Sequence, residues 1–114
     1  MGVVDMRFLV TGKYIETGAL LPPEHLGPLA QNVILPSLQT LAKWEQEGKI
    51  KGGVLAGERA GVFIVEADSH EALGELLASL PFWGIIKWHV TPLQSWASTV
   101  DRDRAAFQRA TAPR

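Results

Sequence analysis

The run Val62-Phe63-Ile64-Val65 constrains the fold more than any other feature of this chain. A strand wet on one face alternates apolar with polar residues. Four consecutive apolar residues instead predict a strand covered on both sides. One layer of helices covers only one face of a sheet, so the second face needs cover of its own.

The remaining elements follow from periodicity and punctuation. Arg7 to Ile15 alternates, with Phe8, Val10 and Tyr14 on one face and Leu9, Thr11, Lys13 and Ile15 on the other. Gly18 and Pro22-Pro23 break this strand and set up a helix. Leu26, Leu29, Ala30, Val33, Ile34, Leu38, Leu41 and Ala42 follow at helical spacing, and Pro36 should kink or divide the run. Gly48 is the expected stop. Ile50 to Ala56 and Gly61 to Ala67 read as strands joined by a hairpin at Gly57-Glu58-Arg59-Ala60. Asp68 with Glu71 has the spacing of a capping box, opening a helix with Leu73, Leu76, Leu77 and Leu80 on one stripe and Pro81 at its end. Ile85 to Thr91 reads as the last strand, ended by Pro92.

The order β-α-β-β-α-β is the split βαβ, or ferredoxin-like, motif of the α+β class. It predicts a four-stranded antiparallel sheet with helices on one face. The other face then carries Leu9, Val62, Ile64 and Ile85, more apolar surface than a monomer usually leaves wet. Two-fold pairing of sheets repairs this, so the expectation is a homodimer or larger homo-oligomer built as a dimeric α+β barrel. Residues 1–93 form the barrel domain and 94–114 a C-terminal extension. Net charge is −1, but residues 101–114 carry +2, which reads first as a solubilising, partly frayed terminus. Trp96 and Phe107 argue for docking of that segment, because free tails seldom keep large aromatics.

Composition excludes several functions. No cysteine is present, so disulfides, thiol nucleophiles and zinc–thiolate sites are ruled out. The charge balance lacks the clustered positive surface that nucleic-acid binding needs. No G-x-G-x-x-G, Walker A or G-x-S-x-G motif occurs, and His25, His70 and His89 lack paired metal spacing. No cofactor or metal is expected. The N-terminal residues show no signal-peptide pattern, and no apolar run approaches membrane-spanning length, so a cytoplasmic location without membrane contact is expected.

Residues 61 to 93 resemble the C-terminal half of muconolactone isomerases. The shared features are a strand ending in an acidic residue (Glu66), a helix ending in Leu80-Pro81, and a last strand reading Lys87-Trp88-His89-Val90-Thr91. The resemblance spans roughly Met6 to Leu93. It implies the dimeric barrel and an activity that moves a double bond within a small unsaturated lactone. Two departures alter the expected cavity floor. Lys51-Gly52-Gly53-Val54 replaces bulky and basic residues in the second strand, and His89 stands where the family has a carboxylate.

Candidate site residues follow from alternation. Lys87 and His89 leave the same face of the last strand, opposite Ile86, Trp88 and Val90, and so should face the space between paired sheets. A 1,3-proton shift needs a base at the carbon α to a carbonyl and a cation to hold the enolate. His89 suits the first role and Lys87 the second. Glu66, on the side of Val62 and Ile64, is a further acid/base candidate or the partner of Lys87 or Arg59 in an ion pair. His25, Trp83, Trp88 and Arg59 are candidate ligand-binding residues, the tryptophans for a planar ligand. A non-catalytic ligand-binding dimer and a cofactor-independent oxygenase or cyclase fit the same barrel and remain alternatives.

Overall fold

The structure is a computed structural model and describes residues 6–15 and 23–111. The elements are β1 (Met6–Tyr14), α1 (Pro23–Leu29), a π turn (Ala30–Ile34), α2 (Leu35–Gln46), β2 (Ile50–Val54), β3 (Ala60–Ala67), α3 (His70–Ala78), a 3₁₀ turn (Trp83–Ile85), β4 (Ile86–Leu93) and α4 (Trp96–Thr111). All strand pairs are antiparallel, in the order β2-β3-β1-β4. This is the expected α+β, ferredoxin-like arrangement.

The core lies on one face of the sheet. Phe8 and Val10 of β1, Phe63 and Val65 of β3, and Ile50 of β2 are buried there with Trp44 of α2 and Leu73 and Leu77 of α3. Burying a side chain of this size stabilises by about 1.5–3 kcal/mol, so this one layer dominates stability. Ser37 of α2 is the buried polar residue of the layer. Its hydroxyl donates to the Val33 carbonyl at 2.8 Å and accepts from the Phe82 amide at 2.9 Å, tying α2 to the segment before β4.

The opposite face is open in the single chain. Val62 is half-buried and Ile64 is 39 % exposed, so the expected second cover of β3 does not come from this chain's own helices. Arg7 and Glu66 pair on that face at 3.3 Å, each side chain 54 % exposed. An exposed pair of this kind contributes at most about 1 kcal/mol.

Local outcomes follow local chemistry. Pro36 divides the long helical run as expected, into α1 and α2 joined by the π turn. Proline lacks an amide and crowds the carbonyl four residues back. A wider π turn ahead of it, closed by the Leu35 amide to the Ala30 carbonyl, absorbs the misfit. Gly48 ends α2 with φ +78°, a backbone state favourable to glycine. The cap of α3 is Ser69 rather than Asp68. Its hydroxyl accepts from the Ala72 amide at 3.0 Å, a short side chain already in extended backbone doing what the Asp68 spacing had promised. Pro92 does not end β4, which continues to Leu93, because β4 is an edge strand and tolerates a missing amide on its free side. Gly18 and Pro22 lie outside the described residues.

Within the described residues the C-terminal segment is helical rather than frayed, over Trp96–Thr111. Nor are its aromatics docked within the chain. Trp96 is 86 % and Phe107 68 % exposed, with Val100 on the same stripe. No described helix is long and apolar enough to cross a membrane.

Candidate functional site

A cavity of about 470 Å³ lies beneath α2, on the helix-covered side of the sheet. Glycines make the room. Gly12 and Gly61 are direct neighbours across β1 and β3, between Val54 of β2 and Trp88 of β4. That row of the sheet therefore has two positions without side chains in its middle. Gly12 is also required by its surroundings: a Cβ there would sit 3.0 Å from both the Trp88 ring and Ile86. Gly52 lets β2 approach β3 closely, where a Cβ would fall 2.0 Å from the Val62 carbonyl oxygen.

The roof is the stripe Leu38, Leu41, Ala42 and Glu45 of α2, at helical spacing i, i+3, i+4 and i+7. Three of these are apolar and the fourth is a carboxylate. The walls include Tyr14, Phe82 and Trp88, stacked edge to face: Tyr14 and Phe82 at 6.0 Å and 79°, Phe82 and Trp88 at 6.1 Å and 69°. Among the described lining residues, Tyr14, Glu45 and Arg59 carry titratable side chains. The Arg59 guanidinium carbon lies 5.4 Å from the centroid of the Tyr14 ring, a cation–π contact.

Burial pushes the Tyr14 phenol above its ordinary value, and the Arg59 charge pulls it partly back. At neutral pH Tyr14 is therefore a neutral hydroxyl donor in the cavity wall. It is the chain's single tyrosine, so phenolate absorbance reports it alone. The titration midpoint should lie above 10, and Arg59→Met should raise it further by removing the lowering charge. A midpoint that falls in Arg59→Met contradicts this electrostatic account. The neutral form is the one favoured by folding, so Tyr14 contributes stability below pH 10 that is lost as the pH rises through its folded-state midpoint.

The structure divides the sequence-derived candidates into two groups. Arg59 and Trp88 line the cavity. Trp83 is 49 % exposed in the 3₁₀ turn, where its carbonyl accepts from Trp88 Nε1 at 3.3 Å, and it positions the Trp88 ring rather than lining the space. His25 is exposed on α1 and does not line the cavity. Lys87, His89 and Glu66 are exposed on the open face, as alternation required. His89 is opposite Thr11 and Lys87 opposite Lys13. Glu66 is opposite Arg7, four residues along β1 from Thr11, or about 13 Å at strand rise. Glu66 thus pairs with Arg7, not with Lys87 or Arg59, because Arg7 is its direct cross-strand neighbour.

Sequence reading did not single out Tyr14 and Glu45 as lining the cavity. The signal for Glu45 was present: a carboxylate at the fourth position of an otherwise apolar stripe. The signal for the cavity was the set of glycines inside strands.

Together these features define a ferredoxin-like α+β domain with an aromatic-walled cavity under its first long helix. The profile of the family described as Muconolactone delta-isomerase matches residues 21–99, which include α2, the hairpin and β4. The chain belongs to that family. It is similar to the Muconolactone Delta-isomerase of Cupriavidus pinatubonensis (strain JMP 134 / LMG 1197), at 36 % identity over 63 residues. That match covers 55 % of this chain and 63 % of the relative, so the chain spans less than two thirds of the relative's length.

Proposed function

We propose that this protein is a cofactor-free isomerase that shifts a double bond in an unsaturated lactone or related ring, and that the reaction takes place in the cavity beneath α2. The observation that carries this reading is the convergence of Glu45, Arg59 and Tyr14 on one apolar, aromatic-walled space. Family membership supports the isomerase class.

The chemistry assigns each group a part. The Glu45 carboxylate removes a proton from the γ carbon of the α,β-unsaturated lactone. The electron pair moves through the double bond into the carbonyl, and the dienolate oxygen is held by the Arg59 guanidinium and the Tyr14 hydroxyl. Glu45 then returns the proton at the α carbon, so the double bond moves and no electrons are lost or gained. A low-dielectric wall strengthens the Arg59 interaction with the enolate relative to water. Muconolactone incubated with the protein in D₂O should exchange its γ hydrogen, with deuterium entering the α carbon of the product, at a rate set by protein concentration and followed by proton NMR. No exchange in muconolactone or other unsaturated lactones overturns the reading.

The same proposal includes a homodimer, most simply cytoplasmic, with the open sheet faces paired. Leu9, Val62, Ile64 and Leu93 support it, since they lie on one face without cover from the chain's own helices. In that assembly Lys87 and His89 face the partner's sheet. Sedimentation should show a dimer at micromolar concentration, and a stable monomer there refutes the pairing.

A further inference from the structure

We infer that the cavity has room for a planar ligand up to the size of two fused rings, carrying one anionic oxygen, and binds it more tightly than a single small ring. The inference rests on the assignment of this cavity as the reacting site and narrows its substrate class by size and shape.

Volume is the first argument. A cavity of about 150 Å³ is enough to hold benzene. The space beneath α2 is about 470 Å³, roughly three times larger, and falls in the ordinary range of about 300–1,000 Å³ for ligand pockets. A single five- or six-membered ring would leave most of it to water, against walls that are almost entirely apolar.

Shape is the second. The Trp88 ring and Ile86 lie over Gly12, but the floor at Gly61 is bare backbone, where a Cβ would come no nearer than 3.6 Å to another atom, the Gly53 carbonyl oxygen. Such a floor admits a flat ring system lying along the sheet. Trp88, Phe82 and Tyr14 stand beside it as a continuous aromatic wall. Aromatic walls favour planar ligands through edge and face contacts.

Charge is the third. Arg59 is the cation among the described lining residues and sits at the Tyr14 end of that wall. One anionic oxygen on the ligand's rim meets it, and the rest of the ligand needs no polar partner.

The test uses 2-naphthoate and benzoate as probes on the full-length protein, with binding read by calorimetry and tryptophan fluorescence. The four extra ring carbons of 2-naphthoate should tighten binding roughly tenfold or more over benzoate if they are buried. Gly61→Leu fills the floor and should remove that advantage while leaving benzoate affinity within about threefold, and Ala42→Leu should do the same from the roof. Arg59→Met should weaken both probes. Equal affinity for the two probes overturns the inference, as does an advantage that survives both filling variants. Preferred naphthoate binding without lactone exchange separates the outcomes: the size assignment stands and the isomerase reading fails. Lactone exchange without naphthoate preference does the reverse.

Discussion

Glu45→Gln should lower kcat for lactone isomerisation by roughly 10²–10⁴-fold, the usual contribution of a positioned general base. The substitution keeps the shape of the side chain and removes only its ability to take a proton. Glu45 is exposed at the cavity margin and makes no ion pair among the described residues, so the fold has little to lose. KM should change far less than kcat, because the carboxylate acts on the proton rather than holding the ring. A variant with unchanged kcat would remove Glu45 from the mechanism. Equal losses of folding stability and activity would instead make it a structural residue.

Gly52→Ala should be the most damaging small substitution in the sheet. An added Cβ would lie 2.0 Å from the Val62 carbonyl oxygen and 2.6 Å from the Phe63 Cα. Both are backbone atoms of β3, and β3 is fixed on its other side by β1, so neither can retreat alone. Overpacking a core costs about 1–3 kcal/mol when side chains can adjust. Here backbone must move, so the expected loss is at or above about 3 kcal/mol, read as a fall in the urea midpoint. Gly53→Ala is the control. Nothing lies within 4 Å of a Cβ there, and its effect should stay within about 0.5 kcal/mol. Similar losses at both positions would mean that strand propensity, not close approach, sets the requirement for glycine.

Much of the fold was legible because periodicity is a local signal with a global consequence. Phe8, Val10 and Tyr14 alternate in the sequence and point to the helix side in the structure. Capping and termination were less legible. Asp68 and Ser69 are both good caps, and backbone geometry rather than residue type decided for Ser69. Pro92 stops a strand only where its amide is needed, which depends on the strand's place in the sheet.

The cavity of the single chain was less legible for a similar reason. Lys87 and His89 were correctly placed on one face, but alternation does not say which face encloses a space. In the single chain the cavity lies on the other face, over Gly61 and under α2, with a side open to solvent at Glu45 and Val54. Three chain segments supply Tyr14, Glu45 and Arg59, and no spacing in the sequence brings them together. The helix Trp96–Thr111 shows the same limit: amphipathic spacing forms a helix, but it does not tell that Trp96, Val100 and Phe107 stay exposed in the single chain.

The central claim is that the proton moves in the cavity beneath α2. Deuterium incorporation into muconolactone, followed by NMR for Glu45→Gln and His89→Ala side by side, tests it most directly. The account predicts that exchange is lost in Glu45→Gln and persists near the unsubstituted rate in His89→Ala. Exchange that persists in Glu45→Gln and is lost in His89→Ala would contradict it and move the chemistry to the open face of the sheet.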